Sequence, residues 1–160
     1  MPYRAPLADF RFLLAHVTGF PRVAQTARFA EATDETVEAI LSGAARLCEE
    51  VLAPLQRVGD THPARLENGV VHTPPGFAQG YRAMAEGGWF SVAADPAFGG
   101  LGLPVTLATA VNDMMSGACM ALHLSSLLTQ GQIEALEHHA SGAIKATNSE
   151  APLSRAARWI

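Results

Sequence analysis

Apolar positions recur by threes and fours along most of the chain, which is the spacing of amphipathic helices. The longest run follows Thr33: Val37, Ile40, Leu41, Ala44, Leu47, Cys48, Val51, Leu52 and Leu55 form one unbroken stripe. Thr33 has an N-cap side chain, and Asp34 and Glu35 fall in the first turn, where the helix dipole favours acids. Pro54 is the expected kink or stop. A shorter helix is predicted from Asp9 to Val17, on Phe10, Phe12, Leu13, Leu14 and Val17, ended by Gly19 and Pro21. Residues 58–76 read as a connection, in which Asn68-Gly69 between Leu66 and Val70-Val71 signals a small hairpin. Phe77, Tyr81 and Met84 mark a third helix stopped by Gly87-Gly88. After a loop of breakers from Ala94 to Pro104, another stripe runs through Leu107, Val111, Met114, Met115, Ala118, Cys119 and Leu122. Leu124, Leu127 and Leu128 extend its apolar character, and Thr129 with Gln132 has the form of a capping box opening a helix on Ile133 and Leu136. The fold class is all-α, a helical bundle of about five to six helices with short loops.

Composition narrows the function classes. Of 160 residues, 49% are hydrophobic and 16% charged, which fits a packed domain and not a disordered polyelectrolyte. The net charge of −4 leaves no general basic footprint, so nucleic acid is not an expected partner. No apolar stretch approaches the about 18 residues of a membrane span, and no membrane partner is expected. Cys48 and Cys119 lie far apart within apolar patterns, which reads as two core thiols in a reducing compartment, the cytoplasm.

The candidate chemistry is thin. Gly99-Gly100-Leu101-Gly102 lacks the preceding strand and the following Lys-Ser/Thr of a phosphate loop, so a tight helix-to-helix turn is the better reading. His138 and His139 are adjacent and point to different sides of a helix; Glu134 and His138 share a face but recruit no third ligand, so no metal site is assigned. His16, His62, His72 and His123 are isolated, and Glu49-Glu50 read as a solvated face. Met114, Met115 and Met120 fit a plain core better than an adaptable pocket. No catalytic residue is assigned.

Four runs in order carry more information than any of these. They are Gly88-Trp89-Phe90 leading to Ala94-Asp95-Pro96; Phe98-Gly99-Gly100-Leu101-Gly102-Leu103-Pro104; the helix from Leu107-Ala108-Thr109-Ala110-Val111-Asn112; and Leu128-Thr129-Gln130-Gly131 with Ile133-Glu134-Ala135-Leu136. Together they resemble the N-terminal helical domain of the flavin-dependent acyl-CoA dehydrogenases. The leader Tyr3-Arg4-Ala5-Pro6-Leu7-x-Asp9-x-x-Phe12 resembles the extra segment of a subgroup that includes enzymes acting on 3-methylthiopropanoyl-CoA. The implied organisation is a leader over 1–32, the helical domain over 33–147 and a divergent tail over 148–160.

The resemblance implies oxidation of an acyl-CoA thioester at Cα–Cβ, with FAD as cofactor. It also implies that the flavin contacts and catalytic Glu belong to a middle β-domain and a C-terminal bundle for which this sequence has no matching motif. By the family's plan the acyl chain runs along helices of this domain, which nominates Leu124, Leu127, Leu128 and Gly131 as an acyl wall. After Thr147 the pattern departs from the family, as a changed reading frame with an early stop would produce; the last sixteen residues carry three cations against one acid. The chain alone is then expected to be inactive and to expose apolar helix faces for self-association or for a partner supplying the missing domains. The alternative is a non-enzymatic helical module that pairs with a partner or holds an apolar ligand; a broken gene product without a selected role is a third.

Overall fold

The computed structural model describes residues 2–149, and they are mostly helical. Helix α1 (Leu7–Phe12) runs on into a wide π turn (Leu13–Val17). Pro21 does not simply end this segment. It sits in the first turn of a short helix, α2 (Phe20–Ala24), where its missing N–H costs nothing. Helix α3 (Asp34–Leu47) opens as its sequence predicts, with the Thr33 side chain accepting the Thr36 N–H at 3.1 Å.

Of the two expected outcomes, a kink or a stop, the stop does not occur at Pro54. The chain stays helical past it, through a π turn (Cys48–Leu52) into α4 (Ala53–Thr61). A proline inside a regular helix lacks an N–H and crowds the carbonyl four residues back. The wider turn immediately upstream, closed by the Ala53 N–H on the Cys48 carbonyl, shifts those carbonyls aside. The connection that follows is correspondingly shorter.

The hairpin forms as its turn chemistry predicts. Strand β1 (Arg65–Glu67) pairs antiparallel with β2 (Val70–His72), Leu66 opposite Val71, and Asn68 (φ 52°) and Gly69 (φ 78°) supply the positive φ values of a tight reversal. All six strand residues are exposed, so the hairpin adds nothing to the core. Helix α5 (Phe77–Glu86) ends at Gly87, and a loop with one 3₁₀ turn leads to α6 (Val105–His139), followed by α7 (Gly142–Ser149).

Helix α6 is the centre of the bundle, packed against α3, α4 and α5. By length and hydropathy alone it would qualify to cross a membrane. Here it is bent at Cys119 and buries Leu107, Val111, Met114 and Met115 against Leu41, Leu52 and Met84. The expected helix start at Thr129 is wrong: Thr129 is buried within α6, and the break lies ten residues earlier. Leu122, Ser126, Thr129 and Ile133 make a continuous buried stripe, and that burial carries the helix straight through the capping-box sequence.

The leader shares this core. Phe10, Leu14 and Phe20 are buried in the same cluster, and the Tyr3 hydroxyl donates to the Met114 carbonyl at 3.0 Å. Glu49, expected to face solvent, instead accepts the Ala5 N–H at 3.0 Å and pairs with Arg4 at 2.9 Å. These contacts, the Ala5 N–H foremost, hold its carboxyl below the usual carboxylate range. From Glu150 onward, the tail read as divergent lies outside the described residues.

Candidate functional site

The second half of α6 folds back on the first. Asn112 and Gln130, which a straight helix would hold roughly 27 Å apart, exchange two amide hydrogen bonds of 2.9 and 3.1 Å. His123 is completely buried between the halves. Its Nδ1 lies 2.9 Å from Ser116 Oγ and its Nε2 lies 3.3 Å from Asn112 Oδ1. Asn112 Oδ1 already accepts from Gln130, so it acts as acceptor for His123 as well. That assigns the proton to Nε2 and leaves Nδ1 to accept from Ser116. Burial pulls the His123 pKa below its ordinary value, so the imidazole is neutral at neutral pH.

Cys119 has extended backbone angles (φ −155°, ψ 84°), and its thiol accepts the Leu122 N–H, three residues on. It therefore occupies the N-cap position of the returning half, a role the sequence reading of a buried thiol missed. Cys48 is the inert core thiol expected, with burial pushing its pKa up to about 12.

The four residues nominated as an acyl wall fall on the returning half and share one outer face. Leu124 is 53% exposed, Leu127 41% and Leu128 69%, and Gly131 is exposed beside them. Met120, 49% exposed, begins the same stripe and so leaves the core that Met114 and Met115 occupy. Together they form one apolar side of the surface.

A separate hollow of about 240 Å³ lies between the two halves of α6 and the loop after α5. Trp89, Val92, Ala108 and Ile133 line its floor, with Arg28, Glu134, Glu137 and His138 at its walls. Glu137 is committed to the Asp95 N–H at 2.7 Å. Glu134 and His138, both exposed, stand along the side of this shallow depression. Among the described residues no three ligand-type side chains gather for a metal.

The glycine loop is closed upon itself. Gly100, Leu101, Gly102 and Leu103 donate their N–H groups to the carbonyls of Asp95, Ser91, Ala94 and Val92 at 2.9–3.1 Å, so none is left to cradle a phosphate. A methyl at Gly100 would sit 2.1 Å from the Ala94 carbonyl oxygen, which is why glycine stands there.

Two observations thus frame the comparison with known proteins: a hairpin-shaped core helix with an apolar outer stripe, and a self-bonded glycine turn before it. Residues 34–148 match the model of the acyl-CoA dehydrogenase N-terminal domain. The chain belongs to the acyl-CoA dehydrogenase family. It is 37% identical over 146 residues to a 3-methylmercaptopropionyl-CoA dehydrogenase of Ruegeria pomeroyi, covering 91% of this chain and 25% of that protein. It is 29% identical over 118 residues to a broad-specificity linear acyl-CoA dehydrogenase of Mycobacterium tuberculosis, covering 72% of this chain and 19% of that protein. The chain therefore spans a quarter or less of these relatives' lengths.

Membership implies FAD at the level of the family. The hollow between the halves of α6 does not fit it by itself. The hollow of about 240 Å³ is below the roughly 300–1,000 Å³ of sites that enclose a drug-sized ligand. Its lining also sets two carboxylates, Glu134 and Glu137, against one guanidinium, Arg28, where a diphosphate calls for a surplus of N–H donors and cations.

Proposed function

We propose that this chain forms the acyl-facing helical wall of a flavin-dependent dehydrogenase that oxidises an acyl-CoA thioester at Cα–Cβ in the cytoplasm, and that alone it is catalytically silent. The observation that carries this reading is the outer stripe of α6. Three leucines and a methionine stand exposed on one helix face, beside a glycine that leaves room for close approach. Such a face is costly in water and suits an acyl tail covered from its other side by further protein. The chain's own contribution is to exclude water and set the depth available to the tail. Each methylene removed from water contributes about 0.8 kcal/mol. The half-buried Ser116–His123–Asn112–Gln130 chain keeps the halves of α6 in register and so fixes where the stripe stands. FAD, supplied by the rest of such an enzyme, would accept the hydride; no described residue is assigned to the proton transfer.

The test is a chimera in which residues 2–149 replace the matching quarter of the Ruegeria pomeroyi relative. The chimera should dehydrogenate acyl-CoA. Leu128→Ala should lower kcat/KM for acyl chains that reach the stripe by about 1–2 kcal/mol, roughly 5–30-fold, and leave short thioesters unaffected. Equal loss for every chain length would remove the acyl-wall assignment. It would favour a protein partner for the stripe, as in a non-enzymatic module.

A further inference from the structure

Among the residues of α6, Cys119 alone departs from helical backbone angles. Its neighbours Ala118 and Met120 are strong helix formers, and no proline lies between Val105 and His139. One residue therefore reverses the chain, and no loop joins the outgoing half to the returning one. If Cys119 turns helical, α6 becomes a continuous rod of 35 residues, roughly 52 Å long.

In that rod the N–H groups that open the returning half and the carbonyls that close the outgoing half gain helical partners. The contacts between the halves are lost within one chain, but a second copy carries the identical faces. We propose that this chain forms a dimer by exchanging residues 120–149, with α6 straight in each copy.

The exchange closes under a two-fold axis. Asn112 of each copy would take Gln130 of the other, so the two-fold axis passes level with residue 121. There the rods would meet on the face that Asn112, Ser116, Cys119, His123 and Gln130 share in a straight helix, with Ala121 on the opposite side. His123 and Ser116 re-form their hydrogen bond across copies, as do Glu137 and the Asp95 N–H. Helix α7, packed on the 3₁₀ turn Pro96–Phe98, travels with the exchanged segment. Every contact in the dimer except those at the hinge is already present in the single chain, so the second copy needs no new complementary surface. The Leu122 N–H would exchange the Cys119 thiol for the Ala118 carbonyl.

The experiment refolds the full chain from urea at increasing concentration and measures mass by size-exclusion chromatography with light scattering. A dimer should grow with concentration, keep the helical content of the monomer and dissociate slowly on dilution, because release requires unpacking the core. Met120→Pro separates this from other association. Met120 is the first residue after the hinge, where proline is tolerated, and the residue before a proline is held out of the helical region, where Cys119 already lies. The straight rod cannot accept it. Met120→Pro should leave the monomer's thermal midpoint unchanged and lower the association constant roughly a hundredfold. If Met120→Pro does not fold, Cys119→Ala, which favours helix and removes the cap, should raise the dimer fraction instead. The proposal is overturned by a chain that stays monomeric after concentrated refolding. It is equally overturned by a dimer that survives Met120→Pro, or by one abolished by Leu124→Ser with Leu128→Ser, which would place association on the outer stripe.

Discussion

His123→Ala is the sharpest perturbation of the core. The side chain is completely buried and hydrogen-bonded at both ring nitrogens, to Ser116 at 2.9 Å and Asn112 at 3.3 Å. Truncating a buried side chain of this size costs about 2–3 kcal/mol through lost contacts and the cavity left behind. Two hydrogen bonds add about 1 kcal/mol each, because Asn112 and Ser116 lose a partner in a half-buried setting. The sum, about 4–5 kcal/mol, is a large share of the roughly 5–15 kcal/mol by which a domain is stable. Urea unfolding followed by far-ultraviolet circular dichroism should show that loss with an unchanged slope, and the thermal midpoint should fall by roughly 10 °C or more. Paired with Asn112→Ala in a double-mutant cycle, the two changes should couple by about 1 kcal/mol. A loss below about 1 kcal/mol, or strict additivity, would refute the view that this network holds the halves of α6 together.

Other consequences follow from single features. Thr33→Ala should cost about 1 kcal/mol in urea unfolding, because the Thr36 N–H loses its acceptor. The depressed folded-state pKa of His123 means that the unfolded chain takes up its proton first. Stability should therefore fall as pH drops below about 6.5, by at most about 1.4 kcal/mol per pH unit, and His123→Gln should lack that slope. Gly100→Ala should abolish soluble folded protein, since its methyl meets the Ala94 carbonyl at 2.1 Å. Gly99→Ala, in open space at φ 85°, should cost only about 1 kcal/mol.

The parts of the fold that were legible in the sequence are those decided within a few residues. Thr33 caps its own helix, Asn68-Gly69 turns its own hairpin, and the glycine run bonds to the loop that precedes it. The failures were decided at a distance. The helix does not stop at Pro54, because a π turn that pairs Ala53 with Cys48 absorbs the proline. Glu49 is occupied by a leader 44 positions away in the chain. The break at Cys119 carries no glycine or proline, and only the mirrored polar residues Asn112 and Ser116, His123 and Gln130 betray it, as polar side chains set into apolar stripes. The acyl-wall candidates rest on the family's plan for the acyl chain, not on periodicity. Their shared exposure could not be read from periodicity, because Leu124 and Leu128 look like any other core leucines until the helix is folded back.

In the proposed function this chain is a wall in an acyl-CoA dehydrogenase, and the redox centre lies elsewhere in such an enzyme. The direct measurement is visible flavin absorbance and acyl-CoA turnover, for the purified chain with added FAD and for the chimera. The chain should stay colourless and silent alone, and the flavin of the chimera should be bleached by acyl-CoA. A chain that retains FAD through gel filtration and turns over the thioester unaided would contradict that proposal.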